Sequence, residues 1–393
     1  MTDNGSDIDD YETDSQGESE EDLSGLSADD AYSATVSASD WTAETLLRQI
    51  ERGNIDLDPA FQRREAWTTT KQSRFIESLI VGLPIPQLVL AERKGSKGRF
   101  LVLDGKQRLL SMKKFMDGKL RLSGLDLRPE LNGFRIEKLD DDDRTAFENQ
   151  TLRTVTVRHW KNEDFLYLVF LRLNTASVPL SPQELRTALH PGPFVSFTNN
   201  YTAANPEFAQ LFRKNATVDF RMRDIELLIR YFAFASYLNV YDGSLKNLLD
   251  LTCMEYNALG EEGEPSFTAE ADRCLAAINT VKSVFGDNAF RLWKPADGAY
   301  ETRFNRAIFD ALVYFASTSS VREQMISKPD AVILAFKESC KDSRFTTAVT
   351  ATTKSKEAVA ARISVWGEHL SAALGHDIPS VELVGGNIVY QAL

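Results

Sequence analysis

Five consecutive residues combine charged, amide and glycine groups at a spacing that suits phosphate chemistry: Asp104, Gly105, Lys106, Gln107 and Arg108. The Asp104 carboxylate can hold a metal ion or orient a water molecule. The Arg108 guanidinium is a permanently charged fork that matches phosphate oxygens. Gly105 lets the backbone turn and approach a ligand closely. The residue types therefore indicate a candidate phosphate site.

A purely structural interpretation of the same residues is as well supported by the sequence. In that interpretation Asp104 caps a helix and Arg108 pairs with a neighbouring carboxylate. A helix terminus contributes roughly 0.3–2 kcal/mol to anion binding, and a charge-assisted hydrogen bond adds about 1.5–3 kcal/mol. Together they reach a dissociation constant on the order of millimolar. A nucleotide site would therefore need further groups, such as Arg63, Arg64 and Arg186, to converge on the junction.

The elements that would position these residues are a strand, a tight turn and a helix. Phe100 to Leu103 is a continuous apolar run that predicts a buried strand, and Leu109 to Met116 has helical periodicity. The turn at residues 93–98 predicts a hairpin between that strand and another at 87–91. The start of a helix directs backbone N–H groups and a positive dipole end at whatever lies above it, which favours an anion.

A second candidate constellation is the extended segment from Phe61 to Trp67, which holds Gln62, Arg63 and Arg64 between aromatic residues. An amide and two guanidinium groups suit contacts with phosphate or with a nucleic-acid base. Paired surface arginines are more often simply solvated. Both interpretations stay open at this point.

A third constellation spans residues 170–186, where one predicted helix ends, a loop follows and another helix begins. Asn174, Gln183 and Arg186 are strongly polar residues beside apolar anchors, as in the lining of a site. Ser181 and Glu184 fit a capping box at the start of the second helix, and that motif alone could account for the segment.

Composition sets the broad class of the protein. Hydrophobic residues make up 43% and charged residues 26% of the chain, as in soluble globular proteins. We find no apolar run of the length that spans a membrane, and no signal-peptide pattern, so the sequence predicts a cytoplasmic protein. The three cysteines and four histidines show no disulfide or metal-ligand spacing.

The net charge of −12 comes from the N-terminus. Residues 1–30 hold twelve Asp and Glu and no Lys or Arg, and the remainder has 45 acidic and 45 basic residues. Such a segment is predicted to be disordered. It is interpreted either as a solubility tail, which we favour, or as a DNA-mimicking autoinhibitor.

The pattern of elements predicts an α+β protein with a small mixed sheet and helices, followed by a mostly α-helical C-terminal region. Order is predicted to begin near Ser39 and Asp40 as the cap of a helix over Trp41–Arg52. The predicted domains are an acidic tail at 1–38, a nucleotide-binding domain at 39–190 and a helical domain at 191–393. No strand is predicted in the helical domain, and a loop at 260–265 is predicted to separate subdomains there.

Five short motifs in a fixed order resemble a known family. They are Pro59-x-Phe-Gln-Arg63 with Trp67, Ile76-Glu-Ser-Leu79 with Leu83-Pro-Ile-Pro86, Leu103-Asp-Gly-Lys-Gln-Arg108, Arg172-Leu-Asn174, and Gln183-Glu-Leu-Arg186. This order is similar to that of the N-terminal domain of GmrSD-type restriction enzymes, which belongs to the ParB/sulfiredoxin-like nuclease superfamily. The resemblance covers roughly residues 40–190.

The resemblance implies a ParB-like core in which the Asp-Gly-x-Gln-Arg motif binds a nucleoside triphosphate and supports its hydrolysis. Asp104, Gly105, Gln107 and Arg108 match that motif. It implies catalytic roles for Asp104, Gln107 and Arg108, with Asp104 as the ligand of a Mg²⁺ ion. The implied nucleotide-binding residues are Gln62, Arg63, Arg64, Gly105, Lys106, Asn174, Gln183 and Arg186.

Two functional hypotheses follow from the resemblance. The first is a metal-dependent nucleoside triphosphatase in anti-phage defence that acts on DNA, with DNA nicking as a further activity. The second is a non-catalytic sensor of nucleotide or modified DNA that controls a partner nuclease or toxin, and an oligomer is compatible with both. The chain departs from the family at Lys106, where Gln is frequent, and no His-Asn-His nuclease pattern is recognisable in residues 200–393.

Overall fold

The computed structural model describes Leu23 and residues 28–57, 67–173 and 181–390 of the chain. These residues divide into two compact units. The N-terminal unit comprises Leu23–Leu189 together with Val218–Arg223, and the helical unit comprises His190–Thr217 together with Asp224–Leu393. The predicted site residues that the structure describes all lie in the N-terminal unit.

The N-terminal unit contains four described strands and seven described α-helices. The strands are β1 (Thr35–Thr42), β2 (Leu88–Glu92), β3 (Phe100–Asp104) and β4 (Thr151–Arg158). The helices are α1 (Ala28–Ser33), α2 (Ala43–Glu51), α3 (Thr69–Ile80), α4 (Lys106–Met116), α5 (Asp141–Asn149), α6 (Glu163–Leu173) and α7 (Pro182–Leu189). Two short 3₁₀ helices, Pro129–Leu131 and Ile136–Lys138, precede α5.

The four strands form one mixed sheet in the order β1-β4-β2-β3. Strands β1 and β4 are antiparallel, β4 and β2 are parallel, and β2 and β3 form the antiparallel hairpin that the sequence predicted. The strand that leads into the candidate site therefore lies at the edge of the sheet.

Alternating side chains along β2 and β3 bury both faces of this part of the sheet. Leu88, Leu90, Phe100 and Val102 belong to one hydrophobic cluster, which also contains residues of helices α2 to α5. Val89, Ala91 and Leu103 belong to a second cluster, which contains residues of α6 and α7. Successive residues of a strand point to opposite faces, so a continuous apolar run fits a strand that is covered on both sides.

The predicted start of ordered structure is wrong. Thr35–Ala38 pair with Val155–Arg158 as the first half of β1, and α1 precedes them, so the 1–38 segment is not disordered throughout. Trp41 lies in β1 and not in a helix. The cap of α2 is Thr42, whose hydroxyl oxygen accepts a hydrogen bond from the N–H of Thr45 at 3.1 Å.

The helical unit contains nine described α-helices. They are α8 (Pro193–Ala204), α9 (Arg223–Ser236), α10 (Leu245–Ala258), α11 (Glu264–Phe285), α12 (Arg306–Ala316), α13 (Ser319–Ser327), α14 (Pro329–Ser339), α15 (Ser343–Thr350) and α16 (Lys356–Leu374). Arg223, the first residue of α9, is grouped with the N-terminal unit. The prediction of a loop between subdomains at 260–265 is wrong, because a 3₁₀ helix, Glu261–Gly263, leads directly into α11 within this unit.

Strands are present in the helical unit, contrary to the prediction. They are β5 (Trp293–Lys294), β6 (Ala299–Tyr300), β7 (Val381–Val384) and β8 (Asn387–Tyr390), and they form two separate antiparallel hairpins. The overall prediction of an α+β protein with a small mixed sheet and a mostly helical C-terminal region is confirmed. Within the described residues, no helix combines the length and the apolar character that crossing a membrane requires.

Candidate functional site

The junction of β3 and α4 has the predicted strand, turn and helix. Gly105 is the N-cap residue of α4 and has a φ of 96°. Residues other than glycine rarely adopt this backbone conformation. A Cβ atom at this position would lie 2.2 Å from Cδ2 of Leu88. The backbone conformation therefore favours glycine, and a larger residue would also displace the side chain of Leu88.

Asp104 and Arg108 form an ion pair across the turn. Nη2 of Arg108 donates to Oδ2 of Asp104 at 2.8 Å, and Nη1 donates to the carbonyl oxygen of Pro86 at 2.5 Å. The Arg108 side chain is only 8% exposed, whereas that of Asp104 is 23% exposed. Pro86 ends the Leu83–Pro86 motif, so two of the five motifs meet at this guanidinium.

The structural interpretation of the junction is correct in one part and wrong in the other. Arg108 does pair with a carboxylate, and that carboxylate is Asp104. Asp104 does not cap the helix, because Gly105 is the N-cap residue and no side chain makes a capping hydrogen bond there. The first turn of α4 also has no acidic residue. These features leave the start of α4 compatible with an anion.

The buried side chain of Lys106 contacts the third constellation, at residues 170–186. Its Nζ lies 2.8 Å from Oε1 of Glu184, and both side chains are buried. Glu184 also forms the predicted capping box: Oε2 accepts from the N–H of Ser181 at 2.7 Å, and its own N–H donates to Oγ of Ser181 at 3.1 Å. The ammonium group of Lys106 thus forms a buried salt bridge with Glu184.

Gln183 and Arg186 lie on the same helix as Glu184 and are almost fully buried, at 1% and 0% exposure. Nη1 of Arg186 donates to Oε1 of Gln183 at 2.9 Å, and Nε2 of Gln183 donates to Oγ1 of Thr187 at 3.3 Å. Their burial means that a ligand could reach them only through a rearrangement. Gln183 and Arg186 are linked to the 104–108 motif only indirectly among the described contacts: their helix neighbour Glu184 forms the salt bridge with Lys106.

Gln107 differs from its neighbours. Its side-chain oxygen Oε1 is buried and has no hydrogen-bond partner among the described residues. A buried acceptor without a donor costs about 1–3 kcal/mol, so such atoms are rare and call for an explanation. A bound molecule that donates a hydrogen bond would remove this cost. Gln107 is therefore the member of the motif whose side chain keeps an unused acceptor among the described residues.

The remaining predicted site residues lie outside the described residues. These are Gln62, Arg63, Arg64 and Asn174. Trp67, the last residue of the segment that holds the two arginines, is described, and its ring packs edge-to-face on Phe75 with 5.7 Å between centroids. The convergence of the predicted arginines on the junction thus stays a prediction.

The electrostatic balance at the junction is close to neutral. Arg108 is paired with Asp104, and Lys106 is paired with Glu184, so each cation has a carboxylate partner. Among the described residues there is no group of three or more His, Cys, Asp and Glu that could hold a metal ion. The donor set fits a dedicated metal site poorly, but a single carboxylate is compatible with Mg²⁺ that is carried by phosphates.

Two contacts of the site were not predicted from the sequence. Glu184 was identified only as part of a capping box, and the carbonyl group of Pro86 was not considered. The Leu83–Pro86 motif and the Ser181–Glu184 capping box were visible signals. Their partners are 22 and 78 residues distant in sequence, and periodicity gives no information on such contacts.

Comparisons with known proteins support the resemblance. The family model for the GmrSD restriction endonuclease, N-terminal domain, matches residues 43–191. The match contains β2, β3, α4 and α7, and hence every described residue of the candidate site. No curated protein and no solved structure shows significant similarity to the chain. Residues 43–191 are thus similar to the N-terminal domain of GmrSD restriction endonucleases.

Proposed function

Because residues 43–191 match the family model of the GmrSD N-terminal domain, we propose that the junction at 104–108 binds a nucleoside triphosphate and supports its hydrolysis. A domain of this family points to a restriction-type anti-phage system that acts on DNA. We further propose that nucleotide binding or turnover regulates the action of the system on DNA. DNA is then the expected macromolecular partner.

The observation that carries the proposal is the buried Oε1 of Gln107, which has no hydrogen-bond partner among the described residues, at the start of a helix that no described side chain caps. A helix start favours the phosphate anion. Oε1 of Gln107 is an acceptor that the described residues leave unused, and a hydroxyl or N–H group of the nucleotide, but not a phosphate oxygen, can donate to it. The Leu83–Pro86, 103–108 and 183–186 motifs meet at this point through Arg108 and Lys106. Hydrogen bonds thereby link two polar motifs and the backbone of the apolar Leu83–Pro86 motif.

Arg108 and Asp104 supply the proposed chemistry. A phosphate group that approaches α4 competes with Asp104 for Arg108, whose fork can bind two oxygens at once. Asp104, once released, is able to orient a water molecule. Addition of that water to the terminal phosphorus breaks the bond to the bridging oxygen and yields a nucleoside diphosphate, phosphate and a proton. When bound with the phosphates, Mg²⁺ would neutralise part of their charge, and Asp104 is the residue that would hold it.

Lys106 takes a structural role in this proposal. A phosphate contact would require breaking a buried pair with Glu184, which costs more than a single phosphate contact returns. Lys106 stands where Gln is frequent in the family. We explain this difference by its salt bridge with Glu184, which joins α4 to α7. The residue positions the junction, and Gln107 and Arg108 contact the ligand.

A sensor without turnover is the alternative proposal. It is favoured by the pairing of Asp104 with Arg108, because this carboxylate is the only acidic side chain in the motif, and its Oδ2 is already bonded. In a sensor, exchange of Asp104 for phosphate would reorganise the junction and control a partner nuclease or toxin. Nicking of DNA by this chain and an oligomeric assembly are further parts of the proposal that stay untested.

Phosphate release separates the two proposals. Each nucleoside triphosphate is incubated with the protein, with and without DNA, and the wild type is compared with Asp104→Ala. An enzyme releases phosphate in the wild type, and Asp104→Ala retains nucleotide binding but loses turnover. A sensor binds nucleotide in both proteins and releases phosphate in neither. Absence of binding to every nucleotide in both proteins would refute both proposals.

A further inference from the structure

The hairpin loop between β2 and β3 is strongly basic. Residues 93–99 include Arg93, Lys94, Lys97 and Arg99, and they include no Asp or Glu. The chain as a whole has a net charge of −12 and repels a polyanion such as DNA. A contact with DNA therefore needs a local surface where cations are in excess, and this loop is a candidate.

Two hydrogen bonds join the loop to other basic segments of the N-terminal unit. Nη1 of Arg99 donates to the carbonyl oxygen of Gly53 at 2.7 Å, next to the exposed Arg52. Nζ of Lys94 donates to the carbonyl oxygen of Lys161 at 3.2 Å, and the side chain of Lys161 is itself exposed. The end of α2, the hairpin loop and the turn after β4 thus form one surface. We call it the basic end of the sheet, and it consists of Arg52, Lys94, Lys97, Arg99 and Lys161.

The five cations of the basic end are exposed, and none forms a salt bridge with a carboxylate of the described residues. The adjacent carboxylates have other partners. Asp56 pairs with Arg93 at 2.8 Å. Glu92 accepts a hydrogen bond from the N–H of Gly98 at 2.7 Å and lies 3.8 Å from Arg158. The charges of the basic end are therefore available to an external anion.

The charge balance stays positive when every carboxylate of these segments is counted. Residues 51–56, 92–99 and 158–164 together hold seven Lys and Arg and five Asp and Glu. Two of the five, Glu163 and Asp164, begin α6 and make interactions of their own, and Asp164 is buried. The excess of positive charge is thus concentrated on the exposed hairpin loop.

The loop has a defined conformation and an open outer surface. The N–H groups of Ser96 and Arg99 donate to the carbonyl oxygens of Arg93 and Ser96 at 3.1 and 3.0 Å. Gly95 and Gly98 have φ values of 73° and 76°, and an added Cβ would meet no atom within 4 Å at either position. A phosphate group can therefore approach the backbone between the cations, and little conformational freedom remains to be lost on binding.

The basic end is separate from the junction at 104–108. The hairpin loop precedes the first residue of β3, whereas Asp104 is the last residue of that strand. A strand of this length rises about 3.3 Å per residue, so roughly 13–17 Å separates the two places. DNA at the basic end and a nucleotide at the junction would then occupy opposite ends of the same strand.

We propose that the basic end of the sheet binds the phosphate backbone of duplex DNA. The proposal rests on the action on DNA proposed above, and it does not depend on nucleotide binding at 104–108. Lysine and arginine side chains neutralise phosphates and release the counterions that were condensed on them, so the contact is independent of base sequence and weakens as salt is added. The basic end positions the domain on DNA and does not select a sequence.

Fluorescence anisotropy tests the proposal. A labelled duplex of about 20 base pairs is titrated with the full chain at several NaCl concentrations and without nucleotide. The wild type should bind, and Lys94→Gln combined with Lys97→Gln should weaken binding about tenfold or more at about 0.1 M salt. The slope of log Kd against log salt should also fall by about 1.8, since each lost phosphate contact removes about 0.9.

A matched control separates a local contact from the effect of net charge. Lys119→Gln combined with Arg144→Gln makes the same change of charge at exposed positions of the same unit, outside the basic end. This control should keep the wild-type slope. Lys97→Gln alone is the second variant if the double substitution does not fold, because no hydrogen bond of the Lys97 side chain is lost, and it should lower the slope by about 0.9.

Three results overturn the proposal. They are the absence of duplex binding by the wild type, an unchanged affinity and slope in the folded loop variants, and an equal loss in the control pair. Calorimetric titration with nucleoside triphosphates keeps the two proposals distinguishable, because the loop variants should bind nucleotide as the wild type does. DNA binding that depends on Lys94 and Lys97 in a protein that binds no nucleotide would support the basic end and refute the nucleotide site.

Discussion

At the scale of single residues, the candidate site depends on which polar atoms are already paired. Arg108 and Lys106 each have a carboxylate partner, whereas Oε1 of Gln107 has no partner among the described residues. Neighbouring residues of one motif thus differ in role. Two hold the junction together, and one presents an unused acceptor at the start of a helix.

Gly105→Ala should destabilise the protein by roughly 2–5 kcal/mol. The positive φ costs a residue with a Cβ about 1–2 kcal/mol, and the contact with Leu88 adds about 1–3 kcal/mol of overpacking. Gly95→Ala is the matched control, because Gly95 has a φ of 73° but no atom within 4 Å of the added Cβ. Chemical denaturation measures both. Equal losses in the two variants would show that the contact with the Leu88 side chain is unimportant.

The sequence predicted the location of the junction and its strand–turn–helix form, since both depend on neighbouring residues. It also predicted the Ser181–Glu184 capping box, which is local. It did not predict that Lys106 is bound by Glu184, because that contact joins distant parts of the chain. One of the two sequence interpretations makes Asp104 the cap of α4, since aspartate is a common N-cap residue. In the structure the side chain of Asp104 instead accepts a hydrogen bond from Arg108.

At the scale of elements, two helices are joined by one buried ion pair. Lys106 begins α4, and Glu184 lies in the first turn of α7. Glu184 uses its other oxygen for the capping box of α7, so this carboxylate fixes the start of one helix against the start of the other. The relative position of the two polar motifs is therefore set by these two side chains.

Lys106→Met should lower the free energy of unfolding by about 3–5 kcal/mol, because it leaves the carboxylate of Glu184 buried without its cation. Adding Glu184→Gln in the same chain should recover most of this loss. Lys113→Met is the control on the same helix, since its pair with Asp117 is partly exposed and contributes at most about 1 kcal/mol. A loss in Lys106→Met no larger than in Lys113→Met would contradict the assigned role.

The first strand shows where sequence patterns fail. Residues 35–42 combine small, polar and β-branched residues and give no strong period, whereas Trp41–Arg52 has the apolar spacing of a helix. The strand forms because β4 offers a free edge along its whole length, from Thr151 to Arg158. Tertiary pairing thus moved the start of the helix to Ala43. Helices with strong periodicity and a clear cap, such as α3 behind Thr68, were predicted correctly.

At the scale of the whole molecule, ordered structure extends further into the N-terminal 38 residues than the sequence predicted. Residues 1–22 lie outside the described residues, whereas Leu23 packs against the second hydrophobic cluster and Thr35 begins β1. The segment 1–38 thus contains two parts with different expected contributions to stability.

Deletion of residues 1–38 should lower the free energy of unfolding by about 1–4 kcal/mol, since it removes four cross-strand pairs at roughly 0.2–1 kcal/mol each. Deletion of residues 1–22 is the matched control, and the composition of that segment predicts little change in melting temperature. Thermal unfolding of both truncated chains checks this. An equal loss in the two would place the stabilising contacts in residues 1–22.

The central claim is that the junction at 104–108 is a ligand site, and nucleotide binding by Gln107→Met tests it most directly. Methionine has a similar length and shape but lacks the buried, unpaired Oε1, so the variant should be as stable as the wild type or more stable by roughly 1–3 kcal/mol. Calorimetric titration with nucleoside triphosphates should show binding that is weaker by about tenfold, the equivalent of 1.4 kcal/mol. Nucleotide binding of wild-type strength in this stable variant would contradict the account.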